Sequence, residues 1–107
     1  MKVKIKITSE QFYYLVVWLK RNMNNSLNKL QLINISLFFT FGYKKMIDLN
    51  SEIKTKPNRI RTFSIELNQY TSIMECLTNE RNNLDPYTLS LFIMLQNQNK
   101  QLTSLTN

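Results

Sequence analysis

The stretch Lys2-Val3-Lys4-Ile5-Lys6-Ile7 alternates charge and apolar bulk at every step, and Thr8-Ser9-Glu10-Gln11 follows it directly. A period of two puts Val3, Ile5 and Ile7 on one face of a strand and Lys2, Lys4 and Lys6 on the other. From Thr8 the period changes. Thr8 with Gln11 three residues on is a capping-box pattern, and Phe12, Leu15, Val16, Leu19 and Met23 recur at helical spacing. The reading is a half-buried strand from Lys2 to Ile7, then a helix from about Ser9 to Asn24.

Asn22, Asn24 and Asn25 weaken that helix, because Asn side chains compete for backbone hydrogen bonds. Ser26 is placed to cap a second helix from about Leu27, presenting Leu30, Ile33, Leu37, Phe38 and Phe41 on a broad face and ending near Gly42. Beyond Tyr43 the chain turns polar and basic. Pro57-Asn58 supplies a turn between two strand-like stretches, Ile47 to Thr55 and Ile60 to Leu67, of which the second alternates better. Asn68 is placed to cap a third helix carrying Tyr70, Ile73, Met74 and Leu77. Asp85-Pro86, a cap followed by proline at the first helical position, opens a fourth that reaches about Lys100. The polar tail from Gln101 frays.

At an offset of 58 residues, Ile5 and Ile7 fall on Phe63 and Ile65, Gln11 on Gln69, Leu15 on Ile73 and Leu19 on Leu77. Each half then reads strand, helix, helix. The expected architecture is a single α+β domain over 1–107, a small two- or three-stranded sheet packed by about four helices. Its half-repeats would be 1–42 and 59–101, joined by a basic connector, 43–62. The expected core is Ile5, Ile7, Phe12, Leu15, Val16, Leu19, Leu37, Phe38, Phe63, Ile65, Ile73, Leu77, Leu89, Phe92 and Ile93.

Composition narrows the chemistry. With 107 residues the chain is long enough for one core, and its 43% hydrophobic content is that of a folded domain. Fourteen Asn, ten Lys and ten Ile beside no Ala imply AT-rich codons, a bias that points to a phage or other mobile element. There is no His, which removes the commonest general base and metal ligand. Cys76 is the only thiol, so no internal disulfide or single-chain zinc cluster can form, and a reducing, cytoplasmic setting fits. The single glycine, Gly42, leaves no glycine-rich phosphate loop, and the serines have no His partner. No enzyme activity, cofactor, metal or small-molecule substrate is expected. The most apolar stretch, Leu32 to Tyr43, is too short to cross a bilayer.

Two features carry the functional expectation. Charge is lopsided: 1–61 holds twelve Lys or Arg against three acids, and 62–107 holds two against four. Pairing of the two strands would bring Lys2, Lys4 and Lys6 near Lys54, Lys56, Arg59 and Arg61 as a basic face. The expected function is a small non-enzymatic binding protein whose basic face engages an acidic partner, either nucleic acid or an acidic protein surface. The alternative rests on Tyr13, Tyr14, Val17 and Trp18, which give the first helix more apolar circumference than a two-layer domain needs. That aromatic face would suit protein–protein interaction or homo-oligomeric assembly.

Overall fold

The computed structural model describes residues 1–23 and 27–100. The expected helix end at Asn24, the Ser26 cap and the tail over 101–107 lie outside the described residues. In chain order the elements are β1 (Lys2–Thr8), α1 (Ser9–Asn22), α2 (Lys29–Asp48), α3 (Asn50–Thr55), β2 (Ile60–Glu66), α4 (Leu67–Asn79), a single 3-10 turn (Arg81–Asn83) and α5 (Pro86–Gln98). Among the described residues the architecture is α+β: one two-stranded antiparallel sheet with five helices.

β1 and β2 form a ribbon in the register Lys2↔Glu66, Lys4↔Ser64, Ile5↔Phe63, Lys6↔Thr62 and Thr8↔Ile60. The period of two divides it into two faces. Val3, Ile5, Ile7, Phe63 and Ile65 are buried beneath it with Phe12, Leu15, Val16 and Leu19 of α1. Phe63 stacks flat on Phe12, ring centroids 4.2 Å apart, and Phe38 of α2 meets Phe12 edge-on. At Lys6 the free edge of β1 is bonded by one side chain: Lys6 N–H donates to Gln98 Oε1 at 2.8 Å, and Gln98 Nε2 donates to Lys6 O at 2.6 Å. The carboxamide of Gln98 stands in for a neighbouring strand, which blunts an edge that could otherwise template aggregation.

Local chemistry accounts for the helix starts. Thr8 Oγ1 accepts from Gln11 N–H at 3.0 Å while Thr8 N–H donates to Gln11 Oε1 at 2.8 Å, the reciprocal box its spacing predicts. Asn28 and Gln31 repeat it at α2. Asp85 caps α5 through Thr88, whose hydrogen bonds hold the Asp85 carboxyl below its ordinary range. Each such cap is worth about 1 kcal/mol.

The middle of the chain departs from the expectation. α2 does not end at Gly42 but runs through it to Asp48, because Gly42 is where α2 crosses α1: a Cβ there would meet Val16 Cγ2 at 3.2 Å. Ile47 to Thr55 is helical, not a strand. β1 and β2 pair only with each other, and Arg61 of β2 is bonded through its guanidinium to Glu52 of α3. Asn68 lies inside α4, where its amide donates to Asn34 Oδ1 at 3.4 Å. The buried face of α2 carries Asn34, Ile35, Phe38, Phe39 and Gly42. Leu30, Ile33 and Leu37, expected on it, are exposed, Leu37 to 53%. Of the remaining expected core, Ile93 is 44% exposed and Leu89 only partly buried, while the other twelve are buried.

The 58-residue offset separates β1 from β2 and the start of α1 from that of α4. It does not run through: Asn28 and Asp85, the caps of α2 and α5, are 57 apart, and α2 has 20 residues against 13 in α5.

Candidate nucleic-acid interface

Only one face of the ribbon is covered by helices. On the other, Lys2, Lys4 and Lys6 of β1 stand beside Thr62 and Ser64 of β2, all exposed, with Ile60 exposed to 70% at one end. Apart from Arg61, apolar residues hold the inward positions, so the outward positions are fixed by the pleat and not by their own contacts.

The charges on this face are unequal. At one end Lys2 Nζ lies 2.9 Å from Glu66 Oε1, which holds the Glu66 carboxyl below its ordinary range, and the Met1 ammonium sits 3.9 Å from Glu66 Oε2. Lys4 and Lys6 enter no ion pair among the described residues. At the other end the loop before β2 folds over the first turn of α1: Ser9 N–H donates to Arg59 O and Glu10 N–H to Pro57 O, both at 3.3 Å. That places the exposed cations Lys56 and Arg59 at the Thr8/Ile60 end of the ribbon.

The structure therefore sorts the seven residues expected in one basic face. Lys2, Lys4 and Lys6 share the open face of β1, Lys56 and Arg59 flank one end of it, and Lys54 lies on α3. Arg61 is the exception. It pairs across the ribbon with Ile7, on the helix-covered side, and its guanidinium is spent on the largely buried Glu52 carboxylate. Those hydrogen bonds push Arg61 up and Glu52 down from their ordinary values. Thr62 and Ser64 were missed as site residues, although the alternation from Ile60 to Glu66 carries the signal: with Phe63 and Ile65 inward, they point out.

The aromatic face of α1 is divided too. Trp18 packs as a partly buried side chain against the protein's own core, and Val17 is half-buried. Tyr14 is 47% exposed but lies against Tyr87 of α5, centroids 4.7 Å apart, with Tyr13 edge-on to it at 5.9 Å. Cys76 is buried, and burial pushes its thiol up to about 11, away from the thiolate form that attacks. A groove of about 630 Å³ between the start of α2 and α4 contains Asn34, Asn68, Ser72, Gln31 and Glu75, but these polar groups bond one another.

Among the described residues no helix is long and apolar enough to cross a membrane. No protein-family model, no curated protein and no solved structure matches the chain.

Proposed function

We propose that the protein binds double-stranded DNA by laying the open face of its β1–β2 ribbon in the major groove. The observation that carries this reading is the ribbon itself: among the described residues a sheet of two strands, helices on one face, and Lys2, Lys4, Lys6, Thr62 and Ser64 on the other. Two paired strands are spaced about 4.8 Å apart, so with their side chains they fit a groove about 12 Å wide. Lysine ammonium groups suit guanine edges and phosphates, and hydroxyls can donate to or accept from any base. The groove of duplex RNA that holds such edges is too narrow to admit a ribbon. An acidic protein partner fits less well, because protein interfaces concentrate their energy in buried aromatic anchors and this face presents none. A DNA-directed role agrees with a reducing, cytoplasmic setting for the free Cys76.

The test is fluorescence anisotropy with a labelled duplex at several salt concentrations. Lys4→Glu/Lys6→Glu should weaken binding at least about tenfold and flatten its dependence on log salt, because the double reversal makes the DNA-facing surface far less positive. Arg21→Gln/Lys44→Gln, which removes charge from the last turn of α1 and from α2, should change binding far less. Affinity that does not respond to salt would refute the reading.

A second reading, association through the exposed Tyr13, Tyr14 and Tyr87 cluster, rests on that cluster alone. Light scattering separates the two: assembly through tyrosines is insensitive to salt and lost in Tyr14→Ala, whereas DNA capture tolerates that change.

A further inference from the structure

Ile5 and Phe63 pair at the centre of the ribbon, and about that centre each outward residue of β1 has a counterpart on β2. Lys2 corresponds to Ile60, Lys4 to Thr62, Lys6 to Ser64 and Thr8 to Glu66. No two counterparts are chemically alike. Ammonium groups, which only donate, correspond to hydroxyls, which donate and accept; a cation corresponds to an aliphatic chain and a hydroxyl to a carboxylate. The ends differ as well, with Lys56 and Arg59 beside Thr8/Ile60 and the Lys2–Glu66 pair closing the opposite end.

A duplex whose sequence repeats about its own dyad would offer identical groups to these unlike side chains. Resting on the DNA-binding reading, we propose that one chain recognises an asymmetric site in a single orientation. β1 directs Lys4 and Lys6 at guanine O6 and N7 in one half. β2 reads the other half through the Thr62 and Ser64 hydroxyls, with Ile60 suited to a thymine methyl. Orientation is set by the strand that carries the lysines. A symmetric homodimer could not make this distinction, because its two strands would carry the same residues.

The experiment selects bound duplexes from a random-sequence library with the full chain and then maps orientation. An iron chelate attached at Asn58→Cys, in the exposed loop at the Thr8/Ile60 end, cleaves nearby DNA, and buried Cys76 does not compete for the label. The expected result is an enriched motif without an inverted repeat and cleavage on one flank only. Inverted repeats built from either half should bind about tenfold or more weakly than the intact motif. The exposed swap Lys4→Thr/Lys6→Ser/Thr62→Lys/Ser64→Lys, which conserves charge, should move cleavage to the opposite flank. An inverted-repeat motif, equal cleavage on both flanks, or salt-dependent binding with no enriched motif each overturns the inference and leaves DNA binding standing. Failure to bind duplex at any salt concentration overturns both.

Discussion

Ile5 pairs with Phe63 at the middle of the ribbon, and Phe63 stacks on Phe12 of the helix that follows β1. One ring thereby ties both strands to the first helix. Phe63→Ala should cost about 3 to 5 kcal/mol in urea unfolding, the usual cost of emptying a buried aromatic site, and Phe63→Leu markedly less. A loss under 1 kcal/mol for Phe63→Ala would mean that the ribbon is not seated on α1 as described.

Gln98 holds the edge of β1 at Lys6 with both ends of its carboxamide. Gln98→Ala removes both the acceptor of the Lys6 N–H and the donor to Lys6 O, so the Lys6 amide should exchange its hydrogen faster and stability should fall by about 1 kcal/mol. Hydrogen exchange read at β1 checks this directly. Exchange unchanged from wild type would show that the contact closes nothing.

Gly42 sets how closely α1 and α2 approach. Gly42→Ala trades a helix-propensity gain of about 1 kcal/mol against a Cβ only 3.2 Å from the stiff Val16 side chain, and the net change should stay within about 1 kcal/mol. Gly42→Leu has no room and should destabilise by about 2 kcal/mol or more. Thermal unfolding of the two variants side by side measures the room at the crossing, since Ala and Leu alike would stabilise the helix at an interior glycine that faced open space.

The Glu52–Arg61 pair predicts an acid response. The Glu52 carboxyl lies below its ordinary 4.5 in the folded protein because Arg61 hydrogen-bonds its charged form. Folding therefore gains stability that is complete above pH 4.5 and is lost as pH falls through the lowered folded value. Glu52→Gln should lower stability at pH 7 and shrink the difference between pH 7 and pH 3. Urea midpoints at the two pH values for both proteins give the answer, and parallel shifts would deny the pair this role.

Local signals in the chain were sufficient for the ends of the fold. Alternation from Lys2 to Ile7 can satisfy only a half-buried strand, Thr8 with Gln11 turns it into a helix at once, and Asp85-Pro86 starts α5 where its chemistry says. The outward lysines of the candidate site follow from the same period of two. The middle was not legible, because α2 is apolar around much of its circumference and spacing alone selects no face. Its orientation was decided by α4, where Ser72 and Asn68 satisfy the buried amide of Asn34 and leave Leu37 outside.

Gly42 and Arg61 teach the same lesson at longer range. A glycine after an apolar run looks like a helix end, and only the approach of Val16 shows that the missing Cβ makes room for a crossing. An arginine in a basic segment looks like part of a basic face; the alternation that turns Phe63 and Ile65 inward turns Arg61 with them, and only the tertiary structure brings Glu52 within reach to neutralise it. The period of side chains along a strand or helix is a property of the backbone and can be read from the residues in order. Which face is covered, which charge is neutralised and how closely two helices pack depend on residues distant in the chain, and those are decided only when the elements meet.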